Sequence, residues 1–358
     1  MKIAFFGFYG SFDYFKIGGT ESFARRLAGG LIRQGHQVDF VVYGAPNPYQ
    51  GQAGPGIRLS VWVDLKEALA TLPGYDHVMT MYMHARDRLC YLRFRWRQRR
   101  RLRFHQVYFD WPDSPIRRKL AFLDARLYPF NGRLFCISPR LLRKVEGWSD
   151  RGALLLPPVP ESFFLAPEDK PRHQELRVNY IGRTEPGKGI ETVIALFTLL
   201  KNHPQVQVAI YGYHHSNSTP SAQVHEELSR QTDIPYFYTP YEGYTPEVDE
   251  NMGRLLMDTD ILVLPYQRIS STIDTPLLLL EGMASLCAVA TSPLGDIPTI
   301  YGPGPFIIYS PGSIEAAATA ILGGRDVLEA ERRRVKQQRD ALGFSTNLVV
   351  HRLISALS

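Results

Sequence analysis

The chain has few of the residues that staple or anchor a protein. Among its 358 residues there are three cysteines, Cys90, Cys136 and Cys287. They are widely separated, with neither an even-numbered framework nor a pair at metal-ligand spacing, so a reducing compartment and no structural zinc are expected. No apolar run reaches the length of about 18 residues that a membrane span requires. Met1-Lys2 followed by Ile3-Ala4-Phe5-Phe6 has no long apolar region and no small-residue cleavage site. It reads as a first strand, and the chain is expected in the cytosol. Short-period repeats are missing too, which excludes a solenoid. Gly7-Phe8-Tyr9-Gly10 does not supply the Gly-x-Gly-x-x-Gly that a nicotinamide dinucleotide wants after a first strand.

What is present fits two ordinary α/β domains. A hydrophobic content of 44% over this length is enough for two cores, and disorder is not expected. Apolar runs at Lys2–Phe6, Gln37–Tyr43, His77–Tyr82, Gln106–Asp110, Arg133–Ser138 and Leu154–Leu156 alternate with helical patterns. A second series comes at Arg177–Gly182, Val206–Gly212, Pro235–Tyr238, Asp260–Pro265, Ala288–Thr291 and Pro305–Tyr309. That spacing predicts two doubly wound, Rossmann-like domains with parallel sheets. Pro157-Pro158-Val159-Pro160 and the polar stretch Ala166–His173 read as the linker, placing the domains at 1–169 and 170–340. Helices are expected over Arg325–Ala341 and Phe344–Leu357, the last of them, in 341–358, returning to the first domain.

The run Tyr180-Ile181-Gly182-Arg183-Thr184-Glu185-Pro186-Gly187-Lys188-Gly189-Ile190 joins a buried strand to a glycine-rich turn with two cations and then opens a helix. Backbone N–H groups at such a turn, together with Arg183 and Lys188, suit a diphosphate. The competing reading is an ordinary strand-to-helix connection with solvated cations.

The net charge of +6 is uneven, with Arg93, Arg95, Arg97, Arg99, Arg100, Arg101 and Arg103 interleaved with Phe94, Trp96, Leu102 and Phe104. This segment reads as a solvated helix face, as a peripheral contact with an anionic membrane or phosphorylated acceptor, or, least favoured, as a nucleic-acid surface. No nucleic-acid motif accompanies it.

Five landmarks in order resemble glycosyltransferase family 4, the retaining sugar-nucleotide transferases of the GT-B fold. They are Gly18-Gly19-Thr20-Glu21, Tyr180–Gly189, Asp260–Pro265, Leu280-Glu281-Gly282-Met283-Ala284 and Gly295-Asp296-Ile297-Pro298. The resemblance spans nearly the whole chain. It implies two domains facing each other across a cleft, with the donor held mainly by the second and the acceptor by the first. On this resemblance the catalytic set is Arg183, Lys188, Asp274 and His84, and the donor-binding set is Gly18, Gly19, Gly182, Thr275, Leu277, Leu278 and Glu281. Glu281, in an apolar run, needs donors such as ribose hydroxyls, with a helix-terminal structural charge as the competing role. His84 matches the family's sugar-contacting histidine, and a satisfied loop side chain is its other reading. The chain departs from the family where Ile273 stands in place of the usual first glutamate, and Asp274 is the nearest acid to take over that contact.

Other candidates have structural alternatives. Asp110 and Asp113 are acceptor-side carboxylates or turn caps, and Ser138 is a family-like strand-end serine or a helix cap. Asp258-Thr259-Asp260 imitates an Asp-x-Asp metal motif, yet it precedes its strand and so sits at the wrong sheet edge for a ligand. His214 and His215 follow a strand without further ligands at metal spacing. The expectation is a metal-independent, cofactor-free transferase. It moves a sugar from a nucleotide-diphosphate donor to a glycan or lipid-linked acceptor, in the cytoplasm or at the inner face of the membrane. A catalytically silent sugar-nucleotide binder is the alternative.

Overall fold

The computed structural model describes residues 1–9, 12–111, 114–116, 118–119, 122, 131–213, 219–230, 233–239, 243–269, 272–309 and 311–358. The chain divides into two compact units, Met1–Pro158 with Thr346–Ser358, and Val159–Ser345.

The first unit is built on eight strands: β1 (Lys2–Phe8), β2 (Gln37–Tyr43), β3 (Tyr49–Gly54), β4 (Ile57–Trp62), β5 (His77–Thr80), β6 (Arg103–Tyr108), β7 (Leu134–Cys136) and β8 (Gly152–Leu154). Their order is β3-β4-β2-β1-β5-β6-β7-β8. All neighbours are parallel except β3 and β4, an antiparallel edge hairpin that the sequence reading did not identify. The hairpin was hard to read because Tyr49-Gln50-Gly51-Gln52-Ala53-Gly54 carries no apolar alternation. Central β1 is buried on both faces, which explains its near-continuous apolar run. The tail helix Thr346–Leu357 belongs to this unit and packs on the helix Gly19–Arg33. Gly30 permits the close approach, since a Cβ there would meet the Thr346 methyl at 2.9 Å.

The second unit carries β9 (Leu176–Arg183), β10 (Val206–Tyr213), β11 (Tyr236–Thr239), β12 (Ile261–Leu264) and β13 (Ala288–Thr291), all parallel, in the order β11-β10-β9-β12-β13. Val178, Ile261, Val263 and Ala290 pack against Val193, Leu196, Phe197 and Leu200 of the helix Ile190–Leu200 and against Ile314, Ala317 and Ile321. Pro305–Tyr309, expected as a strand, makes only an isolated bridge between Ile307 and Thr291.

The division falls at Pro158, ahead of the expected boundary at 169/170. Residues beyond Pro158 find their hydrogen-bond partners in the second unit. Val159 N–H donates to Phe344 O at 3.0 Å, and Leu165 N–H to Ala284 O at 3.1 Å. Lys170 is buried, donating to the carbonyls of Leu256 at 2.9 Å and Thr259 at 2.6 Å. From Val159 onward the expected linker is therefore part of the second unit's packing, because buried backbone groups and a buried ammonium stay where they can be satisfied.

Candidate active site

In each sheet the chain leaves a central strand to one side and later returns on the other, creating a crevice beyond the carboxyl ends of the two strands that diverge. In the second unit those strands are β9 and β12. β9 ends in Gly182-Arg183, a single turn at Pro186–Lys188 comes next, and Gly189 opens the helix Ile190–Leu200 with φ of 79°. A side chain is strained at that φ and would also run into the carbonyl of Pro265, at the end of β12. Gln267 N–H donates to Gly187 O at 3.2 Å, so the loop lies directly on the β12 end. Tyr180, fully buried, donates its hydroxyl to Arg183 O at 2.6 Å and fixes the strand exit.

Two cations meet at this exit. Arg183 pairs with Glu185 at 3.2 Å. Lys188 has no carboxylate partner among the described residues, and its Nζ lies 4.8 Å from the centroid of the Tyr266 ring. Burial, and then the Arg183 charge, push its ammonium down to about 7, with Glu185 opposing. An anion arriving here would relieve both effects. Tyr266 was missed by sequence reasoning, although its place directly after the apolar run Leu262-Val263-Leu264-Pro265 marks it as a strand-end residue. It is buried, and burial followed by the Glu281 charge raises its hydroxyl far above the ordinary range.

The helix Leu277–Ala284 completes the group. Leu279 and Leu280 donate to Pro276 O, while the N–H groups of Leu277 and Leu278 make no hydrogen bond among the described residues. The Thr275 hydroxyl is fully buried and has no hydrogen-bond partner among the described residues. Orphaned donors at a helix start are what a phosphate oxygen would satisfy. Glu281 is 5% exposed and lies in the second turn, not at the helix start, so the helix-terminal reading does not fit its position. Asp274 is 1% exposed and faces the turn at Gly295, where φ is 61° and a Cβ would lie 3.4 Å from the Asp274 carboxylate. Its carboxylate thus lies against protein, an unexpected placement for a group assigned to donor contact.

In the first unit the diverging strands are β1 and β5. Gly18 is the N-cap of the helix Gly19–Arg33, in extended conformation, and the Glu21 carboxylate folds back against it. Burial raises the Glu21 carboxyl above the usual carboxylate range. After β5, the His84 ring packs edge-on to Phe8 at 5.1 Å, and its Nδ1 accepts from Arg86 N–H at 3.3 Å. The neutral ring then carries its proton on Nε2, leaving a donor for a ligand hydroxyl.

The remaining candidates resolve differently. Ser138 caps the helix Pro139–Glu146, accepting from Leu141 N–H at 3.1 Å. Asp258 pairs with Arg177 and His173, and buried Asp260 with Arg332, so both carboxylates of the Asp-x-Asp stretch are engaged by protein groups. Asp110 is exposed. Asp113, His214 and His215 lie outside the described residues. In the arginine segment, Arg95 is buried against Tyr91 and so lies off the surface, whereas Arg103 is exposed and donates to Leu357 O.

Residues 175–323 match the family model described as Glycosyl transferases group 1. The match contains Arg183, Lys188, Thr275 and Glu281. With the two-sheet architecture, it supports a glycosyltransferase enzyme. Sucrose-phosphate synthase from Thermosynechococcus elongatus superposes with a TM-score of 0.70 at 16% identity, over 99% of this chain and 98% of that one. HepE of Anabaena, in complex with UDP and glucose, gives 0.70 at 13%, over 100% and 99%. A TarM mutant of S. aureus, in complex with fondaparinux, alpha-GlcNAc-glycerol and UDP, gives 0.65 at 12%, over 100% of both chains. The chain therefore has the two-domain GT-B-like fold. No curated protein matches it in sequence.

Proposed function

We propose that the chain is a retaining glycosyltransferase that moves a sugar from a nucleotide-diphosphate sugar to a glycan or lipid-linked acceptor, in cell-envelope polysaccharide or glycolipid assembly. The observation that carries this reading is the Lys188 ammonium. It is held without an acidic partner among the described residues, beside Arg183, on a loop where Gly189 has a left-handed φ and a Cβ would strike the Pro265 carbonyl. When the bond from the anomeric carbon to the distal phosphate breaks, negative charge grows on the leaving group and oxocarbenium character on the sugar. Cations aimed at that phosphate lower the barrier. A unit charge about 4 Å away interacts by about 4 kcal/mol at an effective dielectric near 20, and a third of that felt only in the transition state is about tenfold in rate.

The orphaned Thr275 hydroxyl and the Leu277 and Leu278 N–H groups are assigned to the diphosphate, and Glu281 to the ribose hydroxyls. Gly18 and Gly19 are assigned to the donor as well, and His84 to a sugar hydroxyl through Nε2. Because the cationic charge comes from Arg183 and Lys188, turnover is expected to survive a chelator. The complexes of HepE with UDP and glucose and of TarM with UDP favour a uridine nucleotide. Among the described residues no helix is long and apolar enough to cross a membrane. The exposed Arg93, Arg97, Arg99, Arg100 and Arg101 are assigned to contact with the anionic inner face of one.

A panel of UDP-, GDP- and ADP-linked sugars tests this, read first as a thermal shift and then as sugar release or transfer. One donor should stabilise the protein and turn over, and Lys188→Ala with Arg183→Ala should together slow it about a hundredfold. Undiminished turnover in that double variant would overturn the reading. The second reading, a silent nucleotide-sugar binder, is favoured by Ile273 in place of a carboxylate and by the burial of Asp274. It prevails if Glu281→Ala weakens nucleotide binding while no sugar is ever released.

A further inference from the structure

The first unit has a half-open cavity of about 350 Å³, bounded by the segment after β1, the end of β2 and the β3–β4 hairpin. Its composition is unusual for a patch of protein surface. Phe15 and Tyr49, 45% and 46% exposed, stand on its wall with Tyr9 and Tyr14. Exposed rings gathered on one concavity are costly to leave in water and mark a binding surface. Two polar groups share it. Asp13 accepts from Phe15 N–H at 3.1 Å, its charge pushes the neighbouring Tyr9 hydroxyl upward, and it has no cationic partner among the described residues. Asn47 is exposed, and its amide makes no hydrogen bond among the described residues.

The wall is held in place from behind. Arg25, 5% exposed, donates to Tyr14 O at 2.5 Å and Lys16 O at 2.8 Å, tying the 13–16 segment to the helix Gly19–Arg33. Phe12 stacks on Phe40 at 5.5 Å, and Tyr14 packs edge-on to the same ring at 5.1 Å. Tyr49 lies across Gly51, where a Cβ would strike its ring. The platform is therefore preorganised, so a ligand need not pay for ordering it.

We infer that this cavity binds a neutral saccharide, and that it is the site where the acceptor's sugar is held. The inference deepens the proposed transferase function and rests on it for the word acceptor. A sugar ring offers what the wall asks for: C–H faces to cover Phe15 and Tyr49, and hydroxyl donors for the free lone pairs of Asp13, with Asn47 able to donate and accept. An apolar lipid chain would strip water from the Asp13 carboxylate and return nothing. A phosphate or acidic sugar would meet the same charge as repulsion.

Saturation-transfer NMR on the full chain with maltotriose, cellotriose and chitotriose, and then titration of the best, tests this, with UDP binding measured alongside. Ring C–H protons of at least one trisaccharide should receive saturation. Phe15→Ala and Tyr49→Ala should each weaken it at least tenfold, and Asp13→Asn about tenfold, with UDP affinity and melting temperature within error of the parent. No saturation from any of the three, or equal affinity in both aromatic variants, overturns the inference. So does a farnesyl chain that binds in a way these variants abolish. If instead the parent fails to bind UDP while the saccharide result holds, the transferase reading falls and the saccharide site stands.

Discussion

Lys188 Nζ sits 4.8 Å from the centre of the Tyr266 ring, while the charge of Glu281 bears on the same tyrosine from another element. One buried aromatic thus links the cationic loop after β9 to the helix that comes after β12. Burial, and then the Arg183 charge, hold Lys188 at about 7 despite the ring beneath it.

That value makes nucleotide affinity depend on pH. In the free protein Lys188 loses its proton as pH rises through about 7, whereas a bound diphosphate favours the charged form and raises the pKa. UDP affinity should therefore fall between pH 7 and 8.5, by at most about tenfold per unit. Calorimetric titration across that range checks it. Lys188→Arg, which stays charged, should flatten the profile, and an equal slope in both proteins would exclude Lys188 as the titrating group.

Gly189→Ala should cost about 2 kcal/mol or more, through the left-handed backbone and the collision with Pro265. Displacing this loop should also weaken UDP binding. Urea unfolding and UDP titration of the variant measure the two effects, and full affinity would show that the loop is not the phosphate site.

Asp260 and Asp258 should separate cleanly. Asp260 is 3% exposed, accepts from Arg177 N–H at 2.9 Å and pairs with Arg332, so Asp260→Ala should destabilise by about 3–5 kcal/mol. The Asp258 side chain is 47% exposed, and Asp258→Ala should stay within about 1 kcal/mol. Denaturant midpoints of the two variants decide it. A shared loss of turnover rescued by added Mn²⁺ would instead restore the metal reading.

Acid should act through His105. Its ring is buried, its Nδ1 accepts from Arg133 N–H at 2.9 Å, and its Nε2 lies 3.1 Å from Nδ1 of His77. Burial, then His77, Arg103 and Arg133, push it down to about 3. Below about 6.5 the unfolded chain takes the proton first, so stability drains as pH falls toward 3, by at most about 1.4 kcal/mol per unit. The gap between urea midpoints at pH 7.5 and 5.0 should narrow in His105→Asn, which keeps an acceptor for Arg133. An unchanged gap would place the acid sensitivity elsewhere.

Most of the sheet architecture could be read from the chain because strands buried on both faces must be nearly all apolar. Gln37–Tyr43 and Ala288–Thr291 fall where expected for that reason. The β3–β4 hairpin could not be read, since an edge strand half in water needs no such pattern. Among the site residues, Gly182, Arg183, Lys188 and Gly189 were visible because a glycine-rich turn between a strand and a helix is a local pattern, one that an ordinary connection with solvated cations also shares. Tyr266 was not, since nothing local distinguishes a strand-end tyrosine that carries a cation on its face from one that fills a core.

Local pattern alone, then, was enough for two doubly wound units and for a glycine-rich turn carrying two cations, because backbone periodicity and glycine placement are local properties. Only the tertiary structure decided the rest. It left Lys188 without an acidic partner among the described residues and turned Asp274 toward Gly295. It buried Arg95 out of the basic surface and brought Asp13, Phe15 and Tyr49 to one cavity. Each of these depends on which distant side chain or carbonyl arrives beside a group, and burial and charge pairing are settled only when the whole unit closes.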